Sequence, residues 1–402
     1  VINAEVMVRI RWCVVALHTV WFARRGSPDS PRRTQPKQTE HALPPDHYVT
    51  LGSSGLRVSP LCLGTMTFGL DWGWGATPED SADILDAYID RGGNFIDTAN
   101  IYTKGHSEHI IGEHVAQSPG KRDRLVIATK CTGNMFPGDP NGGGGGRKSL
   151  INAVDESLRR LKTDHIDLLW SHFWDRHTPM EEMLRTFDDF VRQGKVRHIG
   201  LSDHPAWVCA HAQHLCRANG WEPLVGLQIE YSLIERSVEG ELLPMAQEMG
   251  LGVTPWSPLK GGILTGKYSR DKIKQDEGRG AAWERKIDDR AFDIIDALSE
   301  VAEDAGCTPA QAALKWVQDR SGVTSTIIGA RTMDQLDANL GALDVELSAE
   351  QTKKLDEASD MPQAFPHAFL QNIPTVIQGG TTVNGESRDA WDMAPKNGDE
   401  RW

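Results

Sequence analysis

Short apolar runs alternate with longer amphipathic stretches along the chain from about residue 48 onward. Runs that are apolar on both faces are typical of buried parallel strands, whereas apolar positions three and four apart predict helices that pack on them. The amphipathic stretches include 78–93, 148–161, 179–194 and 332–343. The sequence predicts eight strands, at 61–64, 94–97, 125–130, 166–171, 196–201, 224–228, 252–255 and 325–328.

The repeated order of strand and helix predicts an α/β protein with a (β/α)8 TIM barrel, a single domain with N- and C-terminal extensions. We place the barrel at residues 47–360. Residues 1–46 are expected to form a flexible extension, because 24–46 are rich in Pro, Ser and charge. Residues 361–402 are expected to dock in part near the barrel mouth. An open, doubly wound sheet is the alternative that the pattern leaves open.

Charge and cysteine content narrow the classes of partner. The chain carries 43 basic and 56 acidic side chains, and its formal net charge of -13 disfavours nucleic acid. Six cysteines without a C-x-x-C pair indicate neither a zinc site nor a disulfide framework, so reduced thiols in the cytoplasm are expected. The apolar run at 11–23 is too short to span a membrane. We therefore expect a small-molecule substrate and no metal, and a homo-oligomer remains open.

Polar side chains stand at the ends of the predicted strands. The carboxyl ends of parallel barrel strands meet at one mouth, where active sites form. Each such residue taken singly is equally explained as the point where a strand reaches solvent, but six neighbourhoods in register favour a site. They are Asp97, Lys130, His172, Ser202 with Asp203, Gln228, and Trp256 with Ser257.

Four of these side chains and their neighbours suit the reduction of a carbonyl group. A tyrosine phenol has an unperturbed pKa of about 10, and a nearby cation lowers it. Lys130 is the cation that we expect beside Tyr102, with Asp97 holding the ammonium group and His172 orienting the substrate oxygen. Because side chains cannot supply a hydride, the chemistry requires a nicotinamide cofactor.

The motifs DTANIY, TK, SH, GLSD, QIEYS, PWSPL-x-x-G-x-LTGKY and IIGAR-x-x-x-QL-x-x-N follow one another in this order. The ordered set, from about residue 49 to 358, resembles the aldo-keto reductase superfamily, including its aryl-alcohol dehydrogenase and channel β-subunit branches. The resemblance implies a TIM barrel and an NAD(P)H-dependent oxidoreductase. It also implies a catalytic tetrad of Asp97, Tyr102, Lys130 and His172, in which Tyr102 is the general acid in reduction and the general base in oxidation.

The resemblance further implies which residues hold the cofactor. Ser202, Asp203 and Gln228 correspond to the residues that bind the nicotinamide carboxamide, and Trp256 to the residue that stacks on the ring. Most members of the family have Asn where this chain has Asp203, and a carboxylate cannot donate a hydrogen bond as an amide does. The remaining expected contacts are Gly64, Thr65, Met66, Asp97, Ser257, Pro258, Leu259, Gly261, Leu264, Gly266, Lys267, Gly329, Ala330, Arg331, Gln335 and Asn339.

Arg331 decides the expected form of the cofactor. A guanidinium group suits a ribose 2′-phosphate, which favours NADP(H). Better-studied members of the family have a Lys near the position of Gly329 and an Arg near that of Gln335, and this chain lacks both. NAD(H) is therefore not excluded, and a solvated surface charge is the alternative interpretation of Arg331.

A glycine run, a pair of histidines and five aromatic residues each allow more than one interpretation. The glycine run at 142–146 approaches a P-loop but has Arg147 in place of the last glycine, so a flexible loop is expected, with Ser149 capping the next helix. His211 and His214 are three residues apart on one predicted helix, but no third ligand is nearby, which favours a surface or packing role. Five aromatic residues are expected either to line the substrate pocket or simply to cover the mouth: Phe68, Trp72, Trp74, Phe173 and Trp174.

The sequence thus predicts NADP(H)-dependent reduction of aldehydes or ketones to alcohols, with the reverse oxidation also open. The tryptophan-rich loops favour aromatic or planar substrates. Two alternatives remain: a cofactor-sensing regulatory subunit that resembles the potassium-channel β subunits, and an unrelated phosphate-binding barrel such as an isomerase.

Overall fold

The computed structural model describes residues 47–118, 120–270, 287–371 and 373–401. The expected flexible extension at 1–46 lies outside the described residues. A short antiparallel hairpin, β1 (Val49–Thr50) with β2 (Arg57–Val58), precedes the main sheet. The strands that follow it are β3 (Leu61–Gly64), β4 (Phe95–Asp97), β5 (Val126–Cys131), β6 (Ile166–Ser171), β7 (Val196–Ser202), β8 (Leu224–Glu230), β9 (Gly252–Trp256) and β10 (Thr326–Gly329).

These eight strands form one parallel sheet in the order β10-β3-β4-β5-β6-β7-β8-β9. The last strand returns to the first, with Gly329 of β10 in register with Gly64 of β3. A parallel bridge between Val253 and Val323 joins β9 to the segment that leads into β10, so the sheet curls into a nearly closed barrel. The fold is a (β/α)8 TIM barrel, and the alternative of an open sheet is wrong. Each strand lies within two residues of its predicted bounds.

Helices alternate with the strands and are capped by short polar side chains. Thr77 accepts a hydrogen bond from the backbone of Asp80 at the start of the first helix, and Thr308 and Ser348 form capping boxes. The helices are α1 (Pro78–Asp90), α2 (His106–Ala116), α3 (Arg147–Leu161), α4 (Met180–Arg192), α5 (Ala206–Asn219), α6 (Leu242–Met249), α7 (Asp289–Asp304), α8 (Pro309–Gln318), α9 (Met333–Leu340), α10 (Ala349–Ala358), α11 (His367–Leu370) and α12 (Ile373–Gln378).

Trp170 of β6 is fully buried in a core cluster separate from the one between strands and helices. Its indole needs two glycines, because a Cβ atom would lie 2.4 Å from the ring at Gly200 and 2.7 Å at Gly226. Leu51, which directly follows β1, and Val58 of β2 belong to the same cluster. The hairpin therefore packs under the amino ends of the strands and leaves the carboxyl ends as the open face.

The prediction that Ser149 caps α3 is wrong. The helix begins at Arg147 after Gly146, and Ser149 lies inside it, where its Oγ donates to the Asn141 carbonyl at 2.8 Å. Acidic side chains of the next βα unit instead accept from the backbone at this end. Asp175 accepts from the N–H of Gly145, and Glu182 in the first turn of α4 accepts from the N–H of Arg147, each at 2.9 Å. These long-range partners have no local signature in the sequence.

The C-terminal segment, for which docking near the mouth was expected, contacts the loop after β8. The Sδ of Met361 accepts from the Arg236 backbone at 3.4 Å, and His367 Nε2 lies 3.3 Å from Glu241. Phe365 and Ile377 remain largely exposed. The segment ends in a small hairpin of β11 (Thr382–Val383) and β12 (Glu386–Ser387). Its part in the active site remains a prediction.

Candidate active site

The proposed catalytic side chains come from successive strand ends on the open face of the barrel. Asp97 is the last residue of β4, Lys130 is in β5 and His172 follows β6. Tyr102 begins a short 3-10 turn, Tyr102–Gly105, that follows β4 and precedes α2. The Tyr102 hydroxyl lies 2.9 Å from Lys130 Nζ, and the Tyr102 and His172 rings are 5.9 Å apart edge to face. The fold therefore brings all four together.

Lys130 is fully buried and its ammonium group is completely paired. It donates to Asp97 Oδ2, to the Thr98 carbonyl at 2.9 Å and to the Tyr102 hydroxyl at 2.9 Å, which uses all three of its hydrogens. Burial alone would lower the pKa of Lys130, but the charge of Asp97 and the contact with Tyr102 outweigh it and raise the pKa. Lys130 thus stays cationic at neutral pH.

The second oxygen of Asp97 is held from another part of the barrel. Gln228 of β8 donates from Nε2 to Asp97 Oδ1 at 2.9 Å, although the two residues are 131 positions apart. Sequence reasoning assigned Gln228 to a cofactor carboxamide and did not foresee this bond. We call Asp97, Tyr102, Lys130 and Gln228 the lysine cluster.

His172 is neutral and stacks on an aromatic ring. Burial, together with the charge of Lys130, lowers the pKa of His172 to about 2. The Phe173 ring stacks on the imidazole, with centroids 4.0 Å apart and planes within 10°. The buried Nδ1 has no hydrogen-bond partner among the residues that the structure describes. A neutral imidazole has one donor and one acceptor nitrogen, so His172 can orient a polar substrate atom without carrying charge.

Aromatic side chains lie around Tyr102 and His172, but Phe68, which was expected among them, does not. Trp72 packs edge to face against Tyr102, with ring centroids 6.3 Å apart, and lies 5.7 Å from Trp74. Phe68, in contrast, is fully buried in the core between strands and helices and has no exposed surface at the mouth. In the loop after β6, Trp174 contacts Trp207 of α5, which is 64% exposed and which sequence reasoning missed.

Three residues at the ends of β7 and β9 form a second group, which we call the tryptophan rim: Ser202, Asp203 and Trp256. Trp256 Nε1 donates to Asp203 Oδ1 at 3.0 Å. Ser202 Oγ is buried near the Asp203 carboxylate, which it stabilises weakly, yet it makes no hydrogen bond of ordinary geometry within the described part of the chain. A buried hydroxyl that makes no ordinary hydrogen bond at a strand end can still bind a polar ligand group.

The segment after β9 winds through an irregular turn. Ser257 has a φ of 54°, and the turn Lys260–Thr265 includes Gly261 and Gly262 at φ values of 67° and 97°. A Cβ atom at Gly261 would meet nothing within 4 Å, so the backbone there faces open space. Pro258, Leu259, Leu264, Gly266 and Lys267, the other expected contacts, lie in or beside this turn.

The loop after β10 is braced by α9. Gln335 Oε1 accepts from the Arg331 backbone at 2.9 Å, and Asn339 Nδ2 donates to the Gly329 carbonyl at 3.1 Å. The two amides, expected to touch a cofactor, thus shape the loop Gly329–Ala330–Arg331. The Arg331 guanidinium has no ion-pair partner in the regions that the structure covers. Gly64, Thr65 and Met66 lie beside this loop, because β3 pairs with β10.

The described ranges contain no group of three or more His, Cys, Asp or Glu side chains that could hold a metal ion. Over those same ranges, every helix falls short of the length and apolar content that crossing a bilayer requires.

The lysine cluster and the tryptophan rim thus lie together at the open face of a TIM barrel. Residues 60–360 match the model of the aldo/keto reductase family, and the chain belongs to that family. It is an NAD(P)H-dependent oxidoreductase, and the resemblance inferred from the motifs is confirmed. An unrelated phosphate-binding barrel is excluded.

Named relatives cover most of the chain. An aryl-alcohol dehydrogenase of Pestalotiopsis microspora is 35% identical over 345 residues, 84% of this chain and 88% of its own length. A norsolorinic acid reductase of Emericella nidulans is 39% identical over 336 residues, 82% of this chain and 85% of its own. An aryl-alcohol dehydrogenase of Phanerodontia chrysosporium, whose name specifies NADP(+), is 35% identical over 343 residues, 81% of this chain and 88% of its own. These names support carbonyl reduction in general and do not favour a regulatory subunit.

Proposed function

We propose that the protein reduces aldehydes or ketones to alcohols with NADPH, with Tyr102 as the general acid. The observation that carries the proposal is the set of contacts of Lys130. Because an ammonium group can only donate, the Tyr102 oxygen is the acceptor in their bond and keeps its own proton for transfer. The positive charge then stabilises the oxygen after the proton has left.

Asp97, Gln228 and His172 position the reacting groups. Asp97 holds Lys130 in place, and Gln228 holds Asp97, so the ammonium cannot turn away from Tyr102. His172 is uncharged and next to Tyr102, so it orients the substrate carbonyl by a hydrogen bond and does not compete as an acid. A positioned general acid typically contributes about 10²–10⁴ in rate.

The cofactor supplies the hydride when it is bound. Ser202, Asp203 and Trp256 would hold its nicotinamide end, and the turn after β9 its pyrophosphate. Arg331 is a cation without an ion-pair partner in the described part of the chain, beside a loop that α9 braces, which supports recognition of a 2′-phosphate and hence NADP(H). The name of the Phanerodontia relative supports the same cofactor.

The expected substrate is an aromatic carbonyl compound or alcohol. Trp72 and Phe173 flank Tyr102 and His172, so a planar substrate would meet aromatic side chains at the reacting centre. Relatives named for aryl alcohols and for norsolorinic acid support this class.

The test is a panel of aromatic and aliphatic aldehydes and ketones, assayed with NADPH and NADH in parallel. We expect turnover of aryl aldehydes with NADPH, and a loss of about 10²–10⁴ in kcat for Tyr102→Phe with unchanged NADPH binding. Arg331→Met should raise the Kd of NADPH roughly tenfold and leave that of NADH unchanged. Full activity of Tyr102→Phe would overturn the proposed role of Tyr102.

A further inference from the structure

The carboxylate of Asp203 lies beside the indole of Trp256, the residue that we propose stacks on the nicotinamide ring. Asp203 follows β7 directly, with a φ of 53°, and its backbone N–H donates to the Gln228 carbonyl at 3.1 Å. Its Oδ1 accepts from Trp256 Nε1 at 3.0 Å. The partner is a neutral indole, and across the described residues Asp203 forms no salt bridge. Its negative charge is therefore not cancelled by a contacting cation.

We infer that Asp203 determines the redox preference of the cofactor site, because its carboxylate favours the oxidised nicotinamide ring over the reduced one. This inference rests on the proposed function, which places the ring against Trp256. The oxidised ring carries a positive charge and the reduced ring is neutral. A ring lying on the indole comes within range of a carboxylate that is hydrogen-bonded to the same indole.

The positive charge nearest to this position, the ammonium of Lys130, is neutralised by Asp97. Lys130 would repel an oxidised ring, but its ammonium is in direct contact with Asp97, so the pair acts at a distance as a dipole. Glu230, whose charge also faces Asp203, is paired with Lys260 at 2.9 Å. Asp203 is thus the one charge among these groups that no contacting ion balances.

The environment of Asp203 also makes its charge adjustable. The side chain is open to solvent at one side, but the protein atoms crowded around it remove part of its hydration and raise the pKa of Asp203 to about 6, against the lowering effect of the Trp256 bond. The neighbouring His172 and His204 stay neutral near that pH, since burial lowers their pKa values to about 2 and about 4. Lys130 stays charged because its pKa is raised.

The experiment compares the Kd values of NADP⁺ and NADPH for the wild-type protein and Asp203→Asn at pH 8, by quenching of tryptophan fluorescence and by calorimetry. Asparagine keeps an oxygen that accepts from Trp256 and removes only the charge. We expect the Kd of NADP⁺ to rise on the order of tenfold and that of NADPH to change less than about twofold. Asp164→Asn is the matched control, because Asp164 is 94% exposed and precedes β6 at the opposite end of the barrel.

For the wild-type protein, the Kd of NADP⁺ should rise relative to that of NADPH as the pH falls from 8 to 5, because Asp203 loses its charge. For Asp203→Asn, the ratio of the two Kd values should stay constant over the same range. Equal weakening of both forms in Asp203→Asn would overturn the inference and leave Asp203 as a support for Trp256 alone. Failure of the wild-type protein to bind either form would overturn the proposed function, and the inference with it.

Discussion

The lysine cluster and the tryptophan rim lie on the same face of one barrel, but they differ in how completely their polar atoms are paired. In the cluster, Lys130 uses all three hydrogens, and both oxygens of Asp97 accept. At the rim, Ser202 Oγ has no ordinary hydrogen bond in the described structure, and neither does Nδ1 of His172 on the adjacent strand end. Buried polar atoms are usually paired, so we expect a ligand to bind the unpaired ones on this face.

This difference separates two kinds of residue by their effect on stability. Removing a group from the cluster strands a buried charge or acceptor and destabilises the fold, whereas removing an unpaired group from the rim costs the fold little. Binding should show the reverse order, because the rim residues are the ones left to interact with a cofactor.

Lys130→Met should have the largest effect. It leaves the Asp97 carboxylate buried without a cation, and breaking such a pair costs about 3–5 kcal/mol in free energy of unfolding. Turnover should fall by about 10² or more, because Tyr102 loses its stabilising charge. Urea unfolding and kcat measure the two effects.

The double variant Lys130→Met with Asp97→Asn is the control for that prediction. Neutralising Asp97 removes the stranded charge, so most of the stability should return while the activity stays lost. A double variant as unstable as Lys130→Met would show that lost packing, and not the charge, explains the destabilisation.

His172 should make the stability of the protein depend on pH. Its pKa is lowered to about 2 in the folded state, so the unfolded chain binds a proton more readily below its ordinary value of about 6.5. His172 alone should therefore lower the free energy of unfolding by up to about 1.4 kcal/mol per pH unit as the pH drops below about 6.5. His172→Gln should remove this share of the slope and leave the shares of His204 and His198, whose pKa values burial also lowers. Identical slopes in both proteins would contradict a buried, neutral His172.

Gln228→Leu should have an intermediate effect on stability. It leaves one oxygen of the Asp97 carboxylate without its donor, and an unsatisfied buried acceptor costs about 1–3 kcal/mol. Lys130 still neutralises the charge, so the loss should be smaller than in Lys130→Met. Chemical unfolding of both variants under one set of conditions gives the comparison, and a loss below about 0.5 kcal/mol would show that water replaces the amide.

The elements of the fold could be predicted from the sequence because a parallel barrel strand is buried on both faces. Runs such as 125–130 and 166–171 are mostly apolar, and the observed β5 and β6 differ from them by one residue at most. The strand ends then placed Asp97, Lys130 and His172 on one face. Local pattern and global fold agree there, so the sequence was sufficient.

Contacts between distant segments could not be predicted in this way. The bonds from Gln228 to Asp97 and from Trp256 to Asp203 join residues whose separation in sequence carries no signal of contact. The same limitation explains Ser149, which lost its expected capping role because Glu182 reaches the helix start from the next βα unit. Residue type indicates what a side chain can bind, but the barrel closure decides which partner it meets.

Ser202→Ala should have the smallest effect on stability and a measurable effect on binding. The hydroxyl that it removes is buried without an ordinary hydrogen bond, so the free energy of unfolding should change by less than about 0.5 kcal/mol. If the hydroxyl binds the nicotinamide end of the cofactor, the Kd of NADPH should rise roughly two- to tenfold.

Ser59→Ala is the matched control, since that hydroxyl is fully buried at the amino end of β3 and donates to the Leu61 carbonyl at 3.0 Å. It should lose about 1–3 kcal/mol of stability and bind NADPH unchanged. The opposite pattern, with Ser202→Ala unstable and its Kd unaltered, would mean that the rim is part of the structural core and that the unpaired hydroxyl does not mark a ligand.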